Sequence, residues 1–236
     1  MRLVPSPAAI SQMEETLTWT FDLDTVRWLY LDSLTDDSRF IWSLTGPDGL
    51  VASRGFASSD SYELGSTNPL LALRAGTYTL TIDGSGDAVG DYRFRLRDLR
   101  ADATEISLGA TVSGTLSPAR VTDVYRFEGT AGERYFFDLL TYADYYGATY
   151  RLIDPYGNQI GGTYTWSDDR DVATFAFTGT YLLLVEGRVT STAATNAYRF
   201  RLLGGEDTPA PITVGQDVTA SITQPVSRPR RLASCA

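Results

Sequence analysis

Apolar and polar side chains alternate over several short segments of the chain, with the period of two that is typical of a half-buried β-strand. The clearest segment is Tyr92–Arg97, in which Tyr, Phe and Leu alternate with three Arg residues, so one face is apolar and the other is cationic. Segments of the same kind begin at Tyr78 and Tyr181, each after a Gly-Thr pair that lets the chain turn into the strand. The sequence shows no sustained 3.6-residue apolar stripe of an amphipathic helix. The pattern predicts an all-β protein built from short antiparallel strands.

The phase of the alternation also predicts which side chains are buried. Residues on the apolar face of each strand should fill a core, whereas the Arg residues between them should point to solvent. The core side chains predicted in this way are Tyr78, Leu80, Ile82, Phe94, Tyr181, Leu183, Val185 and Phe200, and the outward-facing residues are Arg93, Arg95, Arg199 and Arg201.

The alternating segments recur along the chain at a nearly constant spacing of 106 residues. The segment Asp91–Leu96 recurs as Ala197–Leu202, and Ile106–Gly109 recurs as Ile212–Gly215. The third copy does not continue, because a segment rich in Pro and Arg, 225–231, replaces its next strand. Repeated short strands separated by turn signals predict two tandem antiparallel β-sandwich modules and the beginning of a third.

The repeat divides the chain into four predicted segments. In the last segment, 209–236, the strand-like part Ile212–Ile222 is expected to be loose or borrowed as an edge strand. Pro225–Ala236 is expected to be disordered, with Cys235 an exposed thiol, because Pro and clustered Arg disfavour a sheet. The segments are a poorly ordered leader at 1–15, a first β-sandwich (module one) at 16–101, a second β-sandwich (module two) at 102–208, and a truncated third module with a mostly disordered tail at 209–236.

Composition restricts the chemistry that is available to the chain. Its 20 basic residues are all Arg and stand against 29 acidic ones, and the net charge of −9 argues against a nucleic acid or an anionic membrane as partner. The absence of His excludes a Ser-His-Asp triad and a His-ligated zinc site. A single Cys excludes an intrachain disulfide. The longest apolar runs fall far short of the roughly 18 residues that span a bilayer, and the N-terminus lacks the pattern of a secretory signal peptide.

The order and spacing of the motifs resemble those of the bacterial pre-peptidase C-terminal domain. Module two carries the best match, in Gly114–Leu116, Asp123–Phe127, Leu152–Gly157, Gly179–Tyr181 and Tyr198–Phe200. The resemblance implies a jelly-roll-like sandwich that is not catalytic and that serves in extracellular attachment, targeting or spacing. Some relatives bind collagen or polysaccharide, and some bind calcium. The implied location is extracellular or at the cell surface, beside neighbouring domains of a longer parent protein.

Module one departs from this pattern at its beginning. Asp22–Asp24 stands where module two has Glu128–Thr130. The strand that leads module two at Gly114–Leu116 has no counterpart with the same motif in module one. We therefore expect the leading strand of module one to be absent or degraded.

Aromatic side chains are concentrated in two loop regions of module two. The loop Thr141–Gly147 is aromatic, whereas module one has Thr35–Ser38 at the same place. A loop that changes on a repeated scaffold is typical of a binding loop, and Tyr and Trp suit stacking on sugar rings or gripping a peptide. The alternative is that these rings cover the sandwich edge as cross-strand pairs. The candidate ligand-binding residues are Tyr142, Tyr145, Tyr146, Tyr164 and Trp166.

Acidic residues on one hairpin of module one form a candidate metal site. Asp83 and Asp87, with Asp91 beyond them, place hard oxygen ligands at short intervals on a Gly-rich turn, which is chemistry that calcium accepts. The alternative is an ordinary polar hairpin, because module two has a less acidic loop at this place. Nothing in the sequence requires a cofactor, and calcium is the ion that this hairpin would suit.

Three classes of function follow from the sequence. The preferred interpretation is a non-catalytic pair of modules that attaches a secreted or surface protein to a polysaccharide or a matrix protein. The second is a structural spacer within a large secreted or surface protein. The third is a hydrolase built on paired carboxylates, and this class would require two carboxylates facing each other across a cleft. No nucleic acid and no membrane span are expected.

Overall fold

The computed structural model of the chain describes residues 8–10, 16–144, 146–165, 170–205, 213–217 and 219. Nearly all of the regular structure in these residues is β, which confirms the predicted fold class. Short 3-10 turns at Phe56–Ser58 and Tyr62–Leu64 and a single helical turn, α1 at Leu99–Asp102, are the helical elements of this part of the chain.

The strands fall into two successive groups. In module one they are β1 (Ala8–Ile10), β2 (Thr16–Leu23), β3 (Arg27–Ser33), β4 (Phe40–Gly46), β5 (Gly49–Gly55), β6 (Leu71–Leu73), β7 (Gly76–Gly84), β8 (Gly90–Tyr92) and β9 (Phe94–Asp98). In module two they are β10 (Thr104–Glu105), β11 (Thr111–Leu116), β12 (Thr122–Gly129), β13 (Arg134–Tyr142), β14 (Ala148–Ile153), β15 (Gln159–Thr165), β16 (Arg170–Thr174), β17 (Gly179–Gly187) and β18 (Asn196–Gly205).

Both modules have the connectivity of a jelly roll. In module two the sheet β11-β18-β13-β16 faces the sheet β12-β17-β14-β15, and β10 adds a short parallel pairing to β12. Counted from β11 as the first strand, the two orders are 1-8-3-6 and 2-7-4-5, the double Greek key of a jelly roll. Module one repeats this order as β2-β7-β4-β5 and β6-β3-β9, with β1 paired to β8.

A leading strand is present in module one, so the expectation that it is absent is wrong; β1 has three residues, whereas β11 of module two has six. Ala8 pairs with Tyr92 in β8, and Gly114 pairs with Tyr198 in β18. Each residue of the second pair lies one repeat length after its counterpart in the first pair. Backbone groups form a ladder without a particular side chain, and the sequence Ala-Ala-Ile therefore keeps the strand while losing the motif. This strand also lies inside the segment expected to be a poorly ordered leader, most of which is outside the described residues.

Each module has its own core, and the predicted phase of the strands is confirmed. All eight side chains predicted for the cores are buried. Arg93 and Arg199 are exposed, whereas Arg95 and Arg201 are partly buried on the outer faces of their strands. Arg201 reaches Asp138 on the neighbouring strand, with its Nε 2.8 Å from the carboxylate.

A third buried cluster joins the two modules, which the sequence did not predict. Trp28 and Tyr30 on the outer face of β3, together with Leu99 of α1, pack against the outer face of the sheet of β12, β17 and β14. The two sandwiches are therefore stacked sheet on sheet. The residues that module two contributes to this cluster are Val124, Ile153, Leu182 and Leu184.

The described part of the third copy, residues 213–217 and 219, contains a turn. The Gln216 N–H donates to the Thr213 carbonyl, as the Ala110 N–H donates to the Ser107 carbonyl one repeat earlier. The central Gly of each turn has positive φ, +91° in the later copy and +83° in the earlier one. The predicted tail Pro225–Ala236, with Cys235, lies outside the described residues. Within the part that is described, no helix has the length and apolar character needed to cross a membrane.

Candidate functional site

Two of the predicted ligand-binding tyrosines lie exposed on the loop that joins β13 to β14. Tyr142 ends β13 with 39% of its surface exposed, and Tyr146 is 61% exposed. Asp144 shapes the loop, since its carboxylate accepts a hydrogen bond from the Tyr146 N–H at 3.1 Å. The Gly147 N–H donates to the Asp144 carbonyl. Tyr142 and Tyr146 are thus exposed at this end of module two, and ligand binding by them stays a prediction.

The other three predicted ligand-binding residues are described in part or not at all. Tyr164 lies in β15 and pairs with Tyr150 of β14, and its side chain is outside the described residues. Tyr145 and Trp166 lie outside them entirely. Their contribution to binding stays a prediction.

Module one has charged residues in the loop that joins β3 to β4, which corresponds to the loop between β13 and β14 of module two. Arg39 contacts Asp37 with its Nη2 at 2.7 Å, and this guanidinium lowers the pKa of the Asp37 carboxyl through hydrogen bonds. The same end of the sandwich is thus ionic in module one and aromatic in module two. A loop that differs in this way between two copies of one scaffold is a candidate for a specific contact.

The three aspartates of the candidate calcium site are exposed around one hairpin. Asp83 lies near the end of β7, Asp87 in the turn and Asp91 in β8. Among the described residues, no three acidic or Cys side chains are grouped closely enough to hold a metal ion. Calcium binding by these aspartates stays a prediction.

A second exposed aromatic pair lies at the opposite end of module two and was missed by the sequence analysis. Tyr156 is 70% exposed and Phe177 is 41% exposed, and their rings meet edge to face with centroids 4.8 Å apart. The corresponding turns of module one carry the ion pair of Arg74 and Asp48, 2.6 Å apart. Position-by-position comparison of the two copies would have found this difference.

A buried ion pair lies between the modules. Arg151 of β14 and Glu186 of β17 are both fully buried, and the Arg151 Nε is 3.0 Å from the Glu186 carboxylate. The remaining guanidinium nitrogens donate across the interface to the carbonyls of Ser61 and Thr67 in the β5–β6 connection of module one, each at 3.0 Å. Glu186 also accepts a hydrogen bond at 3.0 Å from the Tyr30 hydroxyl of module one. The pair is therefore almost fully hydrogen-bonded, as a buried charge requires.

Two further carboxyl groups are buried at the same junction. The Asp32 carboxylate accepts a weak hydrogen bond from the Thr122 N–H at 3.4 Å, and Asp60 accepts one from the Ser33 N–H at 2.5 Å. The Oδ1 atoms of Asp32 and Asp60 have no hydrogen-bond partner among the described residues. Burial raises the pKa of Asp32 to about 7 and, with the charge of Asp32, raises the pKa of Asp60 well above its usual value. Both groups bind protons more tightly in the folded protein than in the unfolded chain.

Comparison with known proteins gives little beyond the structure itself. No protein-family model matches the chain. No curated protein matches it.

Solved structures align over most of the chain at low similarity. The CUB1-EGF-CUB2 domain of human MASP-1/3 is 10% identical over 86% of this chain and 98% of its own length, with a TM-score of 0.28. The CUB1-EGF-CUB2 domains of rat MASP-1 give 8% identity, 86% and 96% coverage, and the same TM-score. The secreted serine protease VesC from Vibrio cholerae is 11% identical over 86% of this chain and 48% of its own, also with a TM-score of 0.28. Scores this low do not assign the chain to the fold of any of these proteins.

Proposed function

We propose that the chain is a non-catalytic pair of β-sandwich modules that attaches an extracellular or cell-surface protein to a polymer, through Tyr142 and Tyr146 of module two. The exposure of both rings on one loop of a rigid jelly roll carries this proposal. The corresponding loop of module one is ionic, so the aromatic surface is not a requirement of the fold. The resemblance of the repeat to the pre-peptidase C-terminal domain supports the same function.

The chemistry of the two tyrosines suits a polysaccharide or a matrix protein. A Tyr ring offers a flat apolar face for a sugar ring or a Pro-rich peptide, and its hydroxyl offers a hydrogen bond. Two χ angles per side chain keep the entropy lost on binding small. The hydrogen bond from the Tyr146 backbone to Asp144 holds the loop and lowers this cost further.

The position of the buried carboxyl groups disfavours the hydrolase alternative. Asp32 and Glu186 lie close enough to Asp60 for their charges to raise its pKa, and each of the three residues has at most 1% of its surface exposed. They lie inside the junction of the modules and not across a cleft. A glycosidase pair needs room for a sugar and for water between its carboxyl groups.

Retention on an insoluble polymer tests the attachment function. We expect the unmodified chain to be retained on an insoluble polysaccharide or on collagen, and the double substitution Tyr142→Ala, Tyr146→Ala to abolish retention. The melting temperature should change little, because exposed substitutions usually alter stability by less than about 0.5 kcal/mol. Leu50→Ala is the matched control, since Leu50 is an apolar side chain of module one that is 67% exposed. The proposal would be contradicted if the double tyrosine variant lost binding and stability together. It would also be contradicted if this variant and Leu50→Ala were both retained as strongly as the unmodified chain.

A structural spacer is the second candidate, and the junction between the modules favours it. The shared apolar cluster and the buried pair of Arg151 and Glu186 fix one module against the other. We expect calorimetry to show one unfolding transition for both modules, because separation would expose this cluster and leave the ion pair in an open, hydrated site. Two well-separated transitions would contradict the spacer. One transition without retention on any polymer would favour it over attachment.

A further inference from the structure

We propose that the exposed pair Tyr156–Phe177 and the groove beside it form a second binding site, which takes a polysaccharide that carries carboxylate groups. This site does not depend on the proposed role of Tyr142 and Tyr146. Those tyrosines precede β14 and Tyr156 follows it, so the two surfaces lie at opposite ends of module two.

Hydrogen bonds hold both aromatic residues in place. The Tyr156 N–H donates to the Asp154 carboxylate at 2.8 Å. Asp154 is only 4% exposed, and its carboxylate also accepts a hydrogen bond from the Asn158 side chain. The Tyr181 hydroxyl holds the backbone of Phe177. It accepts a hydrogen bond from the Phe177 N–H at 3.2 Å and donates one to the Phe177 carbonyl at 2.7 Å. Because the backbone of both residues is already held, little backbone entropy is lost when a ligand stacks on their rings.

A groove of about 340 Å³ reaches Pro155, the residue before Tyr156, and carries two guanidinium groups. Arg100, Arg126 and Pro155 line it with Thr180 and Leu182 of β17. Pro155 precedes Tyr156 in the turn, and Thr180 follows Phe177 by three residues, so the groove and the aromatic pair lie at the same end of module two. None of its described lining residues is acidic, and the carboxylates that contact its lining are those of Glu105, paired with Arg126, and Glu128, which accepts a hydrogen bond from Thr180 at 2.6 Å.

The two guanidinium groups are positioned differently. Arg100, in the turn α1 between the modules, lies over the Trp28 ring with its Cζ 3.6 Å from the ring centroid, and its Nη2 donates to the Pro155 carbonyl at 3.3 Å. Arg126 pairs with Glu105 at 3.0 Å, and both of these side chains are largely exposed. An exposed pair of this kind contributes little, so a ligand carboxylate can replace Glu105 at small cost. Arg100 is thus fixed and Arg126 can be recruited.

The combination of surfaces determines the class of ligand. Sugar rings stack on aromatic faces, and a carboxylate pairs with a guanidinium in a directional, charge-assisted contact. A polymer of uronic acids repeats both features at short intervals. Because the chain has a net charge of −9, its general surface repels such a polymer, and recognition must come from this local site.

Affinity electrophoresis with polygalacturonic acid tests the site. We expect the intact chain to be retarded in a gel that contains this polymer, and retardation to weaken as salt rises. A gel with highly methyl-esterified pectin is the matched control, because it has the same sugar backbone with its carboxylates masked. Equal retardation in both gels, or none in polygalacturonic acid, would overturn the proposal.

Two sets of substitutions assign the binding to named residues. Tyr156→Ala with Phe177→Ala, and separately Arg126→Gln, should each raise the Kd for the polymer by about tenfold. Arg74→Gln is the control, because Arg74 is a paired surface Arg at the corresponding end of module one. If the double substitution lowers the melting temperature, Arg126→Gln alone decides the matter.

The result also separates this site from the attachment function. The variant with Tyr142→Ala and Tyr146→Ala should keep its full retardation in the polygalacturonic acid gel. Retardation lost in that variant and kept in the Tyr156 and Arg126 variants would overturn the second site and leave the proposed function standing.

Discussion

Replacing Arg151 with Ala is expected to lower the free energy of unfolding by about 3–5 kcal/mol. The substitution leaves the Glu186 carboxylate buried without its cation, and it removes the donors to the carbonyls of Ser61 and Thr67. Ser61 has φ +57° and ψ −151°, a conformation that a non-Gly residue keeps only when its surroundings hold it. Urea unfolding followed by tryptophan fluorescence measures the change in stability.

The control for this prediction is Arg126→Ala, which removes an exposed ion pair with Glu105 and should cost less than about 1 kcal/mol. A double variant, Arg151→Met with Glu186→Leu, should recover much of the loss, because an apolar pair of similar volume leaves no buried charge unpaired. Equal destabilisation by Arg151→Ala and Arg126→Ala would show that Glu186 escapes to solvent when its partner is removed.

The alternation of side chains was sufficient to predict the strands and their cores, but it could not reveal the junction between the modules. β3 and β17 contain the continuous apolar runs Trp28–Leu31 and Tyr181–Val185, in which the residues facing away from the core are also apolar. A strand loses its alternation when both of its faces are buried. Those runs indicate that the outer face is also covered. The alternation of apolar and polar residues assigns only one face of a strand to the core.

The polar centre of the junction could not be predicted from the sequence. Arg151 and Asp32 belong to residue types that are usually solvated, so composition favours the surface for both. Arg151 is buried against the β5–β6 connection of module one, where the backbone carbonyls of Ser61 and Thr67 accept its hydrogen bonds. Asp32 accepts its hydrogen bond from the backbone of Thr122 in module two. A backbone carbonyl is present at every residue, so no side-chain pattern marks these contacts.

Comparison between the copies predicted one aromatic surface and missed the other for a simple reason. Tyr142 and Tyr146 belong to a loop whose length and composition change between modules, which the repeat makes obvious. Tyr156 and Phe177 each replace one residue in a turn that otherwise keeps its form, as Asp48 and Arg74 show in module one. The difference is present in the two aligned sequences, but single substitutions in a turn that keeps its form give a weaker signal than a loop that changes as a whole.

The stability of the chain is expected to fall as pH rises from about 4 to about 7, the reverse of the usual behaviour of paired carboxylates. Burial raises the pKa of Asp32 from 3.8 to about 7, although Arg97 and Arg95 of β9 and the hydrogen bond from Thr122 oppose this shift. The folded protein therefore keeps a proton on Asp32 through a range in which the unfolded chain has lost it. Its contribution to stability is fully present below the unfolded pKa and is lost as pH rises through the folded pKa.

The buried neighbour of Asp32 acts in the same direction. The pKa of Asp60 is raised by its own burial, by the charge of Asp32 and by the charges of Glu186 and Glu63, so its proton-linked contribution is also lost as pH rises. Exposed aspartates such as Asp48, whose pKa is lowered by a hydrogen bond from Arg74, act in the opposite direction and more weakly because solvent screens them. The net slope through this range is therefore governed by the junction.

Asp32→Asn separates this contribution from the rest of the molecule. The amide keeps the shape of the side chain and cannot ionise, so we expect the variant to lose the Asp32 part of the slope between pH 4 and 7. At pH 8 it should be more stable than the unmodified chain by an amount on the order of a few kcal/mol, since the unmodified protein then holds a buried, poorly hydrogen-bonded carboxylate. Urea unfolding at a series of pH values measures both curves, with Asp48→Asn as the exposed control. Parallel curves for Asp32→Asn and the unmodified chain would show that Asp32 is ionised and hydrated in the folded protein, and that water reaches the junction between the two sandwiches.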